Sequence, residues 1–149
     1  MSSTRYLAPD WFTRNVFNRT VRRLNRIGIS VAGSRELRVR GRSSGEWRST
    51  PVNPVTVDEQ RYIVAPRGTT QWVRNLRSAG TGELRNGRRT EAFRGAEVAD
   101  EMKVPVLREY LRKWGWEVGQ FFEGVDRNAT DDDLARIAPG FPVFLIDSA

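Results

Sequence analysis

The sequence predicts an α+β fold: a small barrel-like domain in which a central β-meander is flanked by helices. Three observations carry that expectation. Several short segments alternate apolar and polar residues at the period of a strand. Glycine, proline and Asn-Gly signals separate them at short intervals. Longer segments on either side repeat apolar residues at helical spacing.

Asp10 can cap a first helix running to about Ile27. Phe12, Val16, Phe17, Val21, Leu24 and Ile27 share one side of it, while Arg14, Arg19, Arg22 and Arg26 lie mostly opposite. Such a basic amphipathic helix can pack its apolar face on the domain or lie on an anionic bilayer, and packing is the commoner fate. Residues 35–40 alternate around Leu37 and Val39 and read as a strand. A second strand is expected through Val52, Val55 and Val57, with Pro51 and Pro54 marking it as an edge or bulged segment. Asp58-Glu59-Gln60 turns the chain into the strand Tyr62-Ile63-Val64-Ala65. Pro66-Arg67-Gly68 ends that strand, and Thr69 or Thr70 can cap a helix from Gln71 to about Ser78, stopped by Gly80. Asn86-Gly87 between two alternating runs predicts a β-hairpin. Pro105 opens a longer helix carrying Leu107, Tyr110, Leu111 and Trp114 on one face. Gly115 is expected to interrupt it, with a further helical piece over 116–122. Thr130 before Asp131-Asp132-Asp133 reads as a capped, acid-rich first turn, and residues 141–146 as a closing strand.

Composition narrows the chemistry. The 149 residues contain neither cysteine nor histidine, which excludes thiolate nucleophiles, disulfides, a Ser-His-Asp triad and histidine metal sites. The acids do not cluster as ligands, so no metal site is expected. Net charge is +7, and all the basic residues except Lys103 and Lys113 are arginine. An anionic partner is implied: nucleic acid, a membrane surface or a phosphorylated small molecule. The arginines are spread through every element and no aromatic-basic strand motif of the common RNA modules occurs, which argues against nucleic acid. No secretory leader or membrane-length apolar run is visible, so the expected location is the cytoplasm, with the basic helix allowing peripheral contact with the inner face of the cell membrane.

The most informative stretch is Gly41-Arg42-Ser43-Ser44-Gly45-Glu46-Trp47-Arg48-Ser49-Thr50-Pro51-Val52. A turn of this composition offers backbone amides, short hydroxyls and two guanidinium forks to an anion, and phosphate is the natural one. Downstream, Trp72, Asn75 and Leu76 share one helix face, presenting a flat aromatic, an amide and an aliphatic to a planar heterocycle. Each piece alone also reads as ordinary loop or core.

Jointly, Gly41-Arg42-Ser43-Ser44-Gly45, Arg48, Pro51, Arg67-Gly68 and Trp72-Val73-Arg74-Asn75-Leu76 resemble the deazaflavin-dependent nitroreductase family, whose members use the coenzyme F-420. The resemblance spans about Leu37 to Phe93. It implies a split β-barrel of about six strands with flanking helices, a single deazaflavin-binding domain over 1–149, and hydride transfer from the reduced coenzyme to a quinone, nitro compound or activated enone. It also implies that Arg42, Ser43, Ser44 and Arg48 hold the phosphate and acidic tail. Ser49, Thr50, Pro51 and Val52 would line the approach to the ring, and Val64, Ala65, Pro66, Arg67, Gln71, Trp72 and Asn75 would surround it. Relatives often carry lysine where Ser43 stands; Arg67 or Arg74 can compensate. On the acceptor side the resemblance suggests Arg67 and a C-terminal aromatic, with Tyr110 first and Trp114 and Trp116 as further candidates. A homodimer is implied in the same way. A flavin mononucleotide (FMN) enzyme and a non-catalytic carrier of coenzyme or lipid are the competing readings.

Overall fold

The computed structural model describes residues 34–118, 121–122, 125–126 and 128–148; the helix expected over 10–27 lies outside the described residues. Among these residues seven strands form one sheet: β1 (Arg35–Arg40), β2 (Trp47–Val52), β3 (Val55–Val57), β4 (Gln60–Val64), β5 (Thr81–Asn86), β6 (Arg89–Glu97) and β7 (Val143–Ser148). Among the described residues three α-helices accompany it: α1 (Gln71–Ala79) between β4 and β5, then α2 (Val104–Val118) and α3 (Asp131–Ile137) between β6 and β7. All pairings are antiparallel, in the order β2-β1-β5-β6-β7-β4-β3.

The two outermost strands, β2 and β3, are consecutive in the chain and joined only by Asn53 and Pro54. A flat sheet of this order would separate its edges by about 29 Å, at roughly 4.8 Å per strand. Three peptide steps cannot span more than about 11 Å. The sheet therefore curls until its edges nearly meet, which is a split barrel. Here the sequence expectation is corrected: the single strand through Val52, Val55 and Val57 is two, which brings the described strands to seven where about six were expected. Proline at 54 has no N–H for a ladder, and the link crosses from one sheet edge to the other. Trp114 of α2, buried, pins that crossing, its indole Nε1 donating to the Pro54 carbonyl at 3.2 Å.

Strand alternation divides the apolar residues between two cores. Leu37, Val52, Ile63, Leu84, Phe93 and Phe144 fill the inside of the curl, closed by Val73 and Leu76 of α1. On the opposite face, Val55, Val64 and Val143 are covered by Leu107, Tyr110, Leu111 and Trp114 of α2 and by Leu134 and Ile137 of α3. Neighbours along β4, Ile63 and Val64, thus belong to different cores.

Gly115 does not interrupt α2, which continues to Val118. A glycine inside a helix costs roughly 0.5–1 kcal/mol relative to alanine. The buried face of Val106, Leu107, Tyr110, Leu111 and Trp114 outweighs that cost, and nothing lies within 4 Å of a Cβ placed at Gly115. Buried Lys103 ties α2 to α3, donating to the Ala138 carbonyl at 3.0 Å and pairing with Asp100 at 2.8 Å. Across the sheet, Glu91 of β6 accepts from Arg61 of β4 and Ser148 of β7. These bonds, Arg61 first, hold its carboxyl below the usual range.

The Thr130 cap forms as expected: Thr130 Oγ1 accepts from the Asp133 amide at 3.1 Å, and the Asp133 carboxylate accepts from the Thr130 amide. Thr130→Ala should cost about 1 kcal/mol in denaturant-induced unfolding, the ordinary value of an N-cap.

Candidate functional site

The glycine loop between β1 and β2 is built largely on its own hydrogen bonds. The Gly41 amide donates to the Glu46 carbonyl at 2.8 Å, and the Gly45 amide to the Gly41 carbonyl at 2.9 Å. Ser44 Oγ accepts from the Glu46 amide at 3.1 Å, and Arg40 donates to the Gly45 carbonyl at 2.9 Å. Gly45 sits at φ 74°, in the left-handed region that lets the loop turn back. Space at Gly41 is tight: a Cβ there would lie 3.0 Å from Ser44 Oγ, so that hydroxyl would have to shift by a few tenths of an ångström.

From the other side, α1 grips the loop. Asn75, buried, accepts at Oδ1 from the Arg42 amide at 3.1 Å and from Arg42 Nη1 at 2.8 Å. Gln71 Oε1 accepts from the same Nη1 at 2.9 Å. Within the loop, only the Ser43 and Ser44 amides have no partner among the described residues. The expected backbone cradle is therefore small, and side chains supply most of the donors.

Loop and helix together enclose a cavity of about 490 Å³. Of the residues singled out from sequence, Arg42, Ser43, Ser44, Arg48, Ser49, Thr50, Arg67, Gln71, Trp72 and Asn75 line it. Among the described residues three arginines line it and no acidic residue does. The Arg48 side chain makes no hydrogen bond or ion pair among the described residues, while its backbone pairs with Val39 in the β1–β2 ladder. Trp72 is half-buried, its ring centroid 5.9 Å from that of Phe144, and so forms a flat wall between the inner core and the cavity.

Other sequence candidates go elsewhere. Val64 faces the α2 side of the sheet, because the pleat turns it away from the interior. Val52 and Ala65 are consumed by the inner core, and neither they nor Pro51 and Pro66 line the cavity. Tyr110 is 1% exposed and packs with Phe122 in the outer core, so it does not reach the cavity; its place on the apolar stripe of α2 buries it. Trp114 is buried beside it, and the Trp116 side chain lies outside the described residues.

Val39, Gly41 and Thr70 also line the cavity. Val39 could be found from its place as the last inward residue before the loop, and Thr70 from its capping position. Thr70 is indeed the N-cap of α1, yet its side chain makes no capping bond.

This arrangement can take up an anion on guanidinium groups beside a flat aromatic surface. The donor set and the Trp72 wall suit a phosphorylated planar heterocycle, so the deazaflavin coenzyme fits the residues present. Among the described residues no helix is long and apolar enough to cross a membrane, and no group of His, Cys, Asp and Glu could hold a metal ion.

Comparison with solved structures places the chain among split-barrel proteins. It is similar to an F420-H2 dependent reductase, FDR-A, at 15% identity and TM-score 0.53, covering 77% of this chain and 94% of that one. A structure described as a domain-swapped dimer matches at 16% identity and TM-score 0.55, over 94% of this chain and 100% of that one. A third, a putative 5-nitroimidazole antibiotic resistance protein from Bacteroides thetaiotaomicron, matches at 8% identity and TM-score 0.51, over 78% and 73% of the two chains. Comparison with curated protein sequences gives no match. These identities speak for the fold. The family rests on a sequence model, that of the F420H(2)-dependent quinone reductases, which matches residues 11–136 and so takes in every cavity-lining residue. The chain belongs to the F420H(2)-dependent quinone reductase family, a family of oxidoreductases.

Proposed function

We propose that this protein binds the reduced deazaflavin coenzyme F-420 in the cavity between the glycine loop and α1 and reduces a small organic acceptor there, a quinone in the first instance and a nitro compound or activated enone by extension. The observation that carries this reading is the Arg48 guanidinium, which among the described residues has no partner and stands in a cavity that Arg42 and Arg67 line and no acidic residue does. Arg48, Arg42 and the Ser43 hydroxyl hold the phosphate and acidic tail, while Trp72 supports the ring. When bound, the coenzyme supplies the hydride. The protein's contribution is then binding, orientation and exclusion of water. Arg67 stabilises negative charge developing on an acceptor oxygen. The absence of histidine and cysteine is compatible with this division of labour. Homodimerisation belongs to the same proposal: β2 and β3 have no outer strand partner among the described residues, and one fold relative is a domain-swapped dimer.

FMN would offer the same loop a phosphate, but the family match gives it no support. Titration followed by tryptophan fluorescence should show quenching by the deazaflavin at lower concentration than by FMN. Trp72→Phe should remove much of the signal, since Trp72 is the tryptophan that lines the cavity among the described residues. An anaerobic assay with the reduced coenzyme and a small naphthoquinone should then show oxidation of the coenzyme. Equal or tighter binding of FMN would overturn the cofactor assignment, and coenzyme binding without turnover would favour the carrier reading.

A further inference from the structure

The side-chain oxygen of Asn75 is committed to the loop. This Oδ1 accepts from both the backbone and the side chain of Arg42, and the residue is 5% exposed. Gln71, one turn earlier on α1, takes the same Arg42 nitrogen. The other flank of the loop is fixed independently, by Arg40 on the Gly45 carbonyl. Residues 41–46 are thus held at two ends, from the strand and from the helix. Arg48, the cavity guanidinium that makes no bond among the described residues, folds against this loop at Gly41.

We propose that Asn75 is a positioning residue that acts through Arg42: its side-chain oxygen latches the glycine loop to α1 and so pre-sets the anion-binding face that Arg48 presents. This role rests on the cavity being the ligand site, as proposed above. An ordered loop binds more tightly because less freedom is lost on association. An amide side chain fits this work better than a carboxylate, because it fixes Arg42 without cancelling the positive charge of the cavity.

The test has one arm on the coenzyme-free protein and one on binding. In the free protein, amide hydrogen exchange should be faster at Arg42 by roughly tenfold in Asn75→Ala, the value of one hydrogen bond, and near the wild-type rate in Asn75→Asp, which keeps the acceptor oxygen. Exchange at Gly80, at the far end of α1, reports whether the helix itself has loosened and should not change. In the binding arm, Asn75→Ala should weaken deazaflavin affinity several-fold, and the loss should shrink in an Arg42→Met background, because the two residues act as one unit. Unchanged exchange at Arg42 in Asn75→Ala would overturn the latch. An affinity loss of equal size in both backgrounds would show instead that Asn75 touches the ligand. If the wild type does not bind the deazaflavin, the proposed function fails while the exchange arm still decides the latch.

Discussion

Arg48→Ala is expected to weaken coenzyme binding by roughly tenfold to a hundredfold while leaving the fold intact. A charge-assisted hydrogen bond to phosphate is worth about 1.5–3 kcal/mol, and each 1.4 kcal/mol is a factor of ten in affinity. The fold should not respond, because the Arg48 side chain is exposed and makes no bond among the described residues, and its backbone pairing with Val39 survives the substitution. Isothermal titration at low and high salt is the measurement. The gap between wild type and variant should narrow at high salt, where the exposed guanidinium is screened. Arg48→Lys keeps the charge but loses the fork, and should fall between the two. An Arg48→Ala protein that binds as tightly as the wild type at low salt would reduce Arg48 to a loop residue and move the anion site to Arg42 and Arg67.

The largest loss of stability is expected from Trp114→Ala. The side chain is 1% exposed in the outer core, and its indole nitrogen holds the Pro54 carbonyl in the link that joins the two sheet edges. Truncating a buried tryptophan costs about 3–5 kcal/mol in cavity and transfer terms. The lost bond also leaves the Pro54 carbonyl without its donor. Trp114→Phe separates the two contributions, since most of the packing survives and the hydrogen bond does not. It should cost about 1–2 kcal/mol, and denaturant unfolding of both variants provides the comparison. A cost below about 1 kcal/mol for Trp114→Ala would mean that the crossing between β2 and β3 is held by the sheet alone.

Elements whose conformation depends on nearby residues were legible in the sequence. Alternation marked β1, Asn86-Gly87 marked the β5–β6 hairpin, Gly80 marked the end of α1, and Thr130 with Asp133 marked the start of α3. Each of these is decided within a few residues by backbone conformation, side-chain period or a local cap. Much of the candidate site was legible for a related reason. The loop and the Trp72-to-Asn75 turn carry residue types whose chemistry is unusual at that spacing, and the family match covers them.

The tertiary structure decided which face and which partner each residue meets. Alternation showed that Ile63 and Val64 point opposite ways, but only the covering of one face by α2 and α3 puts Val64 away from the cavity. Periodicity placed Tyr110 on an apolar stripe, and only the docking of that stripe on the sheet turned a candidate acceptor-side residue into core. Asn75 presented an amide from α1, and only the approach of a loop 33 residues earlier in the chain committed its oxygen to Arg42. Closure of the sheet separated β2 from β3, because edges that must meet across Asn53-Pro54 cannot continue as one strand. Local sequence determines backbone period and turn chemistry; burial and hydrogen-bond partners depend on which distant segments share the same space.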